Sequence, residues 1–346
     1  METVTGELMP HTRTRLYDLS PRAYEHPADR AALVALRAVP GFDLVLRKLI
    51  GLLGERSLRL IHLGSAVRVG PGQFGELHKL YQDCLHTLDF TEEPELYVAQ
   101  TPFVNAGAVG TEKPFIVLNS GAIQLFTPDE LRVILGHELG HILSGHVLYK
   151  TMLHMLLRIS IVASGIPVAT WTLMAIIAAL KEWDRKSELS CDRAGLLASQ
   201  DLSACYRVQM KMACGSVKDA SIDEFMKQAE EYEAGGDMLD SVFKVLNIVD
   251  RSHPFPVLRL AELKRWVDRG EYDRILRGDY ARRSADSEAS ILEELKASAR
   301  SYKETAEETR DPMASFFRDL GASVSARSKD LWGRMRPKGD EPPGKD

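Results

Sequence analysis

Apolar positions in the first part of the chain divide it into short elements. Leucines and valines between residues 31 and 55 recur at helical spacing, which predicts helices interrupted at Pro40-Gly41. Residues 58–63 and 66–69 are short apolar runs and are predicted to be strands, whereas the spacing over 74–88 predicts a helix. Residues 96–100 and 114–118 are predicted to be two further strands. A small sheet among helices is therefore expected.

The helix that follows this sheet has a well-marked start. Thr127 can cap it, Pro128 suits the first helical position, and Glu130 can close a capping box. The later apolar positions predict that this helix runs to about residue 150. Residues 159–180 carry no charge, 181–197 are predicted to be helical, and more helices follow to about residue 269. The pattern predicts an α+β protein that is mainly α-helical.

The overall composition is that of a globular protein with one large domain or two modest ones. Of the 346 residues, 45% are hydrophobic and 27% are charged. The formal net charge of -5 gives no electrostatic reason to expect a nucleic-acid partner. The four cysteines form no CxxC pair, and residues 1–15 lack the apolar segment of a secretory signal. We therefore expect reduced thiols and a cytoplasmic protein.

The run from His137 to His141 is the strongest chemical signal in the chain. Its two histidines are four residues apart on a predicted helix, so they share a face and can bind one metal ion. Glu138 lies beside them and can deprotonate a metal-bound water, as in the HExxH motif of zinc peptidases. Apolar neighbours on both sides favour an ordered helix over a chance match.

A catalytic zinc ion usually has three protein ligands and one open position. A HExxHxxGxxH site would need a histidine where the chain has Val147, and His146 is expected to point away from the shared face. A glutamate from the next helix is the other common solution. The acidic candidates there are Glu182, Asp184 and Glu188. Glu188 is followed one turn later by Asp192, which suits a ligand and the residue that orients a ligand histidine. The same spacing is equally that of a surface acid on an amphipathic helix.

Four separated motifs together resemble one protein family. They are His137 to His141, the run SELSCDRAG at 187–195, the segment Asn105 to Ala108, and Ser252-His253-Pro254 with Arg259 after it. Over about residues 95–262 the chain resembles the HtpX-like and CAAX-prenyl-protease-type (Ste-type and Oma-type) gluzincin zinc metallopeptidases. The resemblance implies a zincin-like domain with a small edge-exposed sheet, the HExxH helix at its active site, and one zinc ion per chain.

The resemblance also implies a role for each matched residue. The implied zinc ligands are His137, His141 and Glu188, with Glu138 as catalytic base and Asp192 as the residue that orients a ligand histidine. His253 and Arg259 would lie near the substrate carbonyl. For Arg259 we favour an ion pair with Asp192 or another acid over direct assistance at the carbonyl.

The segment Asn105, Ala106, Gly107 and Ala108 is expected to bind substrate. Between two predicted strands, it suits a sheet edge that pairs with an extended peptide by strand addition, although an ordinary loop is equally compatible with the sequence. Gly107 and Cys191 stand where the family more often has a bulkier residue and alanine. These two departures bear on the shape of the substrate pocket.

The uncharged run 159–180 is long enough to span a bilayer. A single span, however, would place His141 and Glu188 on opposite sides of the membrane, and two spans need more apolar residues than lie between them. Gly165 and Pro167 also interrupt the run. We therefore expect two short buried helices, with a hairpin that dips into the membrane interface as the alternative. A peripheral membrane contact through 152–180 stays open.

The chain is expected to have three parts. Residues 1–94 form an N-terminal region that packs on or covers the catalytic core, 95–270 form the metallopeptidase domain, and 271–346 form a charged extension with a disordered end. Within the extension, apolar residues from Phe316 to Met335 recur at helical spacing beside arginine and lysine. Such a helix can contact a membrane or a partner, but packing on its own domain is favoured.

The expected function is that of a zinc-dependent metalloendopeptidase that hydrolyses protein substrates, in quality control or processing. A catalytically latent scaffold or chaperone is one alternative, disfavoured because Glu138 and all three expected ligands are present. A membrane-surface adaptor with a structural zinc is another, disfavoured because such zinc sites usually have four Cys or His ligands. Association into an oligomer is compatible with the sequence.

Overall fold

α-Helices make up most of the residues that the computed structural model describes, namely 13–37, 42, 45–46, 55–162, 167–218, 220–234 and 255–286. The helices in chain order are α1 (Pro27–Arg37), α2 (Glu55–Ser65), α3 (Gly75–Thr87), α4 (Ser120–Leu125), α5 (Pro128–Leu143), α6 (His146–Val162), α7 (Pro167–Ser199), α8 (Leu202–Cys214), α9 (Ile222–Ala234), α10 (Pro256–Asp268) and α11 (Glu271–Leu276). The strands are β1 (Ala66–Arg68), β2 (Leu96–Ala99), β3 (Ala106–Val109) and β4 (Phe115–Asn119). The prediction of a mainly α-helical α+β protein is confirmed.

The strands form one small sheet in the order β1-β2-β4-β3. β2 and β4 are parallel, whereas β1 pairs antiparallel with β2 and β3 antiparallel with β4. Buried residues such as Tyr97, Phe115 and Ile116 anchor the central strands in the core. β3 lies at the sheet edge, with Ala106 opposite Leu118. The segment for which the sequence left an edge or a loop open is therefore an edge strand.

The predicted strand over residues 58–63 is wrong, because these residues belong to α2. A short apolar run has no periodicity that separates a strand from a helix, and Leu60, Ile61 and Leu63 are all exposed on this helix. The neighbouring prediction for 66–69 is confirmed by β1. The helix predicted over 74–88 and the strands predicted at 96–100 and 114–118 are confirmed by α3, β2 and β4.

Helix α5 begins where the sequence predicts but ends earlier. The capping box is present, with the Thr127 backbone N–H donating to Glu130 Oε2 at 2.9 Å. The helix stops at Leu143 instead of running to about residue 150. Gly145 adopts φ of 67°, a left-handed conformation that glycine tolerates and that ends helices. A new helix, α6, then starts at His146.

Helices α5 and α7 approach each other with almost no side chain between them. A Cβ atom on Gly136 would lie 2.3 Å from the Ala198 Cβ, and one on Gly140 would lie 2.6 Å from the Ala194 Cβ. Such distances are far below the 3.5–4.0 Å or so at which carbon atoms pack. Only glycine therefore fits at these two positions, and the close approach carries the histidines of α5 next to the acids of α7.

The uncharged run 159–180 is divided between α6 and α7, and α7 starts at Pro167, where the sequence predicts a break. α7 is not short, because it continues through the predicted 181–197 helix to Ser199. Its Ile176, Ile177 and Leu180 are buried in a cluster with Leu36 of α1. Within the part of the chain that the structure describes, no helix has both the length and the hydrophobicity of a membrane span. Residues 163–166 lie outside the described part.

The N-terminal segment packs on the helices that carry the candidate site. Leu16, Leu19 and Tyr24 belong to the main hydrophobic core. The Arg13 Nε donates to the Ser199 carbonyl at 2.9 Å, which joins the start of the described chain to the end of α7. These contacts support an N-terminal region that packs on the core. The extension beyond residue 286, with its predicted tail helix, lies outside the described residues.

Candidate metal centre

Three side chains from two helices converge on one point. His137 and His141 lie one turn apart on α5, and Glu188 comes from α7. The two Nε2 atoms are 3.2 Å apart, and each lies 3.3 Å from one oxygen of the Glu188 carboxylate. All three side chains are buried, and their ligand atoms lie close enough together to hold one ion. Two imidazole nitrogens and a carboxylate are a donor set that suits catalytic zinc.

The other acidic candidates of α7 lie elsewhere. Glu182 pairs with Arg185 at 2.5 Å, and Asp184 pairs with Lys150 at 2.7 Å. Glu188 is the member of the three that lies against both histidines, and it is fully buried rather than on the surface. The buried position of Glu188 therefore excludes the surface acid that its spacing also allowed, and its role as a metal ligand stays a prediction.

Asp192 contacts the ring nitrogen of His137 that does not face the other ligands, and Arg259 binds Asp192. The His137 Nδ1 lies 3.2 Å from Asp192 Oδ1, and Arg259 binds the same carboxylate through two contacts of 2.5 and 2.8 Å. Burial acts to raise the pKa of Asp192, but the charge and hydrogen bonds of Arg259 outweigh it and hold that pKa below its ordinary value. Arg259 thus forms the ion pair that we favoured from the sequence. His253, its predicted companion, lies outside the described residues.

The two histidines have pKa values shifted in opposite directions. Burial alone would lower the pKa of His137, but hydrogen bonds to Asp192 and Glu188 outweigh it and raise the pKa to about 9. Burial, with the charge of Lys150, lowers the pKa of His141 well below its ordinary value. His141 is therefore neutral and ready to bind a metal, whereas His137 must lose a proton to do so.

Glu138 points from α5 towards the edge strand of the sheet. Its Oε2 accepts a hydrogen bond of 2.8 Å from the Ala108 backbone N–H. Burial raises the pKa of Glu138, and the positive charges of His137 and Lys150 offset only part of that rise. A carboxylate with a raised pKa beside a metal position is suited to accepting and returning a proton.

Strand β3 leaves part of its backbone available at the sheet edge. The Asn119 N–H donates to the Asn105 carbonyl. The backbone N–H and C=O groups of the alternate residues Asn105, Gly107 and Val109 therefore point towards β4. The backbone groups of Ala106 and Ala108 consequently point away from β4. The Ala108 N–H is the one that reaches Glu138 beside the metal position. A Cβ built on Gly107 would meet nothing within 4 Å, so this position leaves open space where a bulkier side chain would project.

A mainly apolar pocket adjoins the metal position. Ala106 of β3 lines it together with Phe126, Val133 and Met212, and its polar wall includes His137 and Arg259. Asn105 lies at the same pocket. The structure therefore brings Asn105, Ala106 and Ala108 to the candidate site, whereas the binding of substrate by these residues stays a prediction.

The sequence predictions did not include Lys150 at the site, and they placed His146 wrongly. Lys150, one turn into α6, is buried and donates at 2.7 Å to both Glu188 Oε1 and Asp184 Oδ1. Burial would lower its pKa, but the two carboxylates outweigh it and raise the pKa above its ordinary value. No local pattern marks this lysine, because its partners lie more than thirty residues further along the chain.

His146 does not point away from the HExxH face, and that prediction is wrong. Its Nδ1 lies 3.2 Å from His141 Nδ1, and its Nε2 lies 3.1 Å from Asp29 Oδ2. The reason is the turn at Gly145, which ends α5 and brings the next residue back onto it. Gly145 itself was the sequence signal that could have revealed this arrangement.

Comparison with known proteins gives similarity to one peptidase family. The model of "Peptidase family M48" matches residues 71–267. The chain is 35% identical over 268 residues to the plastoglobule-localized metallopeptidase 48 of Arabidopsis thaliana, which covers 75% of this chain and 76% of that protein. It is 35% identical over 69 residues to a Protease HtpX homolog of Helicobacter pylori, over 19% of this chain and 22% of that protein. No solved structure matches the chain.

Proposed function

Because this chain belongs to peptidase family M48 and is a metalloprotease, we propose that it is a zinc-dependent endopeptidase whose ion is held by His137, His141 and Glu188. The observation that carries the proposal is the convergence of two Nε2 atoms and one carboxylate at a single buried point. When bound, zinc supplies a Lewis acid that polarises the peptide carbonyl and acidifies water. The three residues fit this ion because they leave one coordination position for water or substrate.

Glu138 is proposed as the general base and then the general acid. Its Oε2 is fixed by the Ala108 N–H, which leaves Oε1 to take a proton from the attacking water. Its raised pKa makes the protonated form accessible, so the same group can pass that proton to the leaving amine nitrogen. The catalytic carboxylate and the edge strand are thus joined by one hydrogen bond.

Arg259 is proposed to position His137 through Asp192 instead of binding the substrate carbonyl. Its guanidinium binds Asp192 through two hydrogen bonds and also lies 3.4 Å from Glu188 Oε2, so its polar groups are directed at Asp192 and at one proposed ligand. His253 remains our proposal for the group that donates to the carbonyl oxygen. It precedes α10, the helix that carries Arg259.

The substrate is proposed to be an extended stretch of protein that pairs with β3. The outward backbone groups of Ala106 and the Ala108 carbonyl offer hydrogen bonds to such a strand, whereas the Ala108 N–H is held by Glu138. The adjoining apolar pocket would take an apolar side chain next to the cleaved bond. An extended segment is available in unfolded proteins, which supports a role in quality control or processing.

Three broader expectations stay proposals. The division at residues 94 and 270 is one, and association into an oligomer is another. Localisation is the third: the sequence predicts a cytoplasmic protein with a peripheral membrane contact left open, and the Arabidopsis thaliana relative is named as plastoglobule-localized. The proposed contact regions are segment 152–180 and the C-terminal helix that the sequence predicts. A latent scaffold is the alternative function.

The test combines zinc content with cleavage of an unfolded protein substrate by the wild type and Glu138→Gln. Glutamine can still accept from the Ala108 N–H, so we expect both proteins to bind about one zinc ion per chain. Cleavage should fall about 10²- to 10⁴-fold in the variant, because the proton acceptor is lost.

Glu182→Gln is the matched control. Glu182 is also a buried acid, but it pairs with Arg185 away from the histidines, so zinc content and cleavage should stay at the wild-type level. A wild type that binds zinc but cleaves nothing would favour the latent scaffold. Equal cleavage by wild type and Glu138→Gln would refute the assigned base.

A further inference from the structure

The two histidines of the metal centre are supported in different ways. His137 has a carboxylate, Asp192, on its second ring nitrogen. His141 has instead a second histidine: its Nδ1 lies 3.2 Å from His146 Nδ1, and His146 Nε2 lies 3.1 Å from Asp29 Oδ2. The side chains of His141, His146 and Asp29 are almost completely buried. The support for His141 therefore extends from α5 through α6 to α1.

Proton placement along this series follows from its geometry. The Nε2 of His141 faces His137 and Glu188, so a metal ion there takes the lone pair of that nitrogen. The proton of neutral His141 is then on Nδ1 and is donated to His146 Nδ1. His146 must accept at Nδ1, so its own proton is on Nε2 and is donated to the Asp29 carboxylate. Asp29 thereby selects the tautomer of His146 that His141 requires.

Asp29 is itself held firmly in place. The Ser190 hydroxyl donates to Asp29 Oδ2 at 2.6 Å, and the His26 backbone N–H donates to the Ser190 oxygen at 2.8 Å. Ser190 lies on α7 two residues after Glu188, so the carboxylate is tied to the helix that supplies the third ligand. Asp29 lies outside residues 71–267, the stretch that matches the family model.

The Nδ1 atoms of His141 and His146 have an alternative partner in Cys191. Cys191 Sγ lies 3.6 Å from His146 Nδ1, and His141, His146 and Cys191 are close enough to hold an ion of their own. An ion at that position would need the Nδ1 lone pair of His141 while the first ion takes the Nε2 lone pair. Neutral imidazole has a lone pair on one nitrogen and a proton on the other, so a hydrogen bond between His141 and His146 is favoured.

We propose that His146 and Asp29 are positioning residues that fix the tautomer and orientation of His141, so that the N-terminal segment completes the metal centre. The proposal rests on the metal site proposed above. It assigns residues 26–29 a part in metal binding in addition to packing. Removing such a partner typically weakens metal binding about 10- to 100-fold.

The experiment measures zinc affinity of the full chain by competition with a chelator, for the wild type, Asp29→Asn and Tyr24→Phe. Asp29→Asn should weaken zinc binding about 10- to 100-fold, because the amide no longer fixes the His146 tautomer. Tyr24→Phe is the matched control, since Tyr24 is a buried residue of the same segment whose hydroxyl contacts Ser144 at 3.1 Å and the Gly140 carbonyl at 3.4 Å but no histidine side chain. Its zinc affinity should stay within about threefold of the wild type, as expected when a mutation leaves the ligands and their partners intact.

A second measurement needs no variant. Nitrogen NMR of the zinc-loaded wild type reports which ring nitrogen of each histidine carries a proton, and we expect His146 to be protonated at Nε2 only. Protonation at His146 Nδ1, two zinc ions per chain, or unchanged affinity of Asp29→Asn would each overturn the proposal. If Asp29→Asn fails to fold, the NMR result decides.

The two proposals fail in different ways. A wild type that binds no zinc would contradict the proposed metal site itself. A wild type that binds one zinc ion with the affinity unchanged in Asp29→Asn would contradict the role of Asp29 and His146 alone. A double-mutant cycle with His146→Phe gives a further check, because the effects of the two substitutions should not add if Asp29 acts through His146.

Discussion

The contact between α5 and α7 predicts a strong effect of a single methyl group at Gly136. Alanine at this position would place its Cβ 2.3 Å from the Ala198 Cβ. Carbon atoms pack at about 3.5–4.0 Å, so the helices would have to separate by about 1.2–1.7 Å. Overpacking of this kind costs about 1–3 kcal/mol, which the better helix propensity of alanine, worth about 1 kcal/mol, offsets in part. The metal centre lies on the same two helices.

Two assays separate the effect of Gly136→Ala on stability from its effect on the metal centre. Urea unfolding of the metal-free protein should show Gly136→Ala less stable than Gly64→Ala by about 1–3 kcal/mol. Gly64→Ala is the matched control, because it also adds a methyl group to a helix but meets nothing within 4 Å. Competition with a chelator should show that Gly136→Ala weakens zinc binding at least about tenfold, because metal–ligand distances tolerate changes of only about 0.2 Å.

The rescue variant makes this reasoning refutable. Adding Ala198→Gly to Gly136→Ala removes the facing methyl group and should restore most of the zinc affinity, although the second glycine does not restore helix propensity. Equal unfolding free energies for Gly136→Ala and Gly64→Ala, together with unchanged zinc affinity, would show that the close approach of α5 and α7 does not set the metal centre.

Two further predictions concern the charges around the ligands. Lys150→Met should lower the unfolding free energy of the metal-free protein by about 3–5 kcal/mol in urea titrations, because it leaves the buried Glu188 and Asp184 without the lysine; a loss below about 1 kcal/mol would contradict this. The raised pKa of His137 predicts how zinc binding depends on pH. Its pKa in the folded, metal-free protein is raised to about 9, so its stabilising contribution is fully present below about pH 6.5 and lost as pH rises through about 9. Zinc must displace this proton, so chelator competition between pH 7 and about 9 should show affinity rising with pH, and a flat profile would refute the assignment.

The parts of the site that could be predicted from sequence are those set by local geometry. The capping box of α5 fixes where that helix starts, and the four-residue spacing of His137 and His141 fixes their common face. The strands β2 and β4 have enough apolar and β-branched residues to be recognised in a short window. The strand prediction over residues 58–63, which belong to α2, was wrong because a short apolar run fits both the helical and the strand period.

The remaining parts depend on contacts between distant segments. Lys150 and Asp29 reach the ligands only because α1, α6 and α7 pack around α5, and nothing near either residue in sequence indicates that. The close packing of α5 and α7, in contrast, did leave a signal. Gly136 and Gly140 are spaced by four residues, as are their partners Ala194 and Ala198, and small residues at that spacing allow helices to approach closely.

The charge balance of the buried site gives an independent argument for a divalent ion. Apart from Asp29, which His146 separates from the ligands, the charged groups around the ligands among the described residues are the carboxylates of Glu138, Asp184, Glu188 and Asp192 and the cations Lys150 and Arg259. With all six ionised, two negative charges remain uncompensated in a buried region, which is costly. In the metal-free protein, the pKa of His137 rises to about 9, so a proton on this ring compensates one of these charges, and burial raises the pKa of Glu138 as well. Zinc carries two positive charges, which would compensate both carboxylate charges with His137 neutral as a ligand and Glu138 ionised as the base.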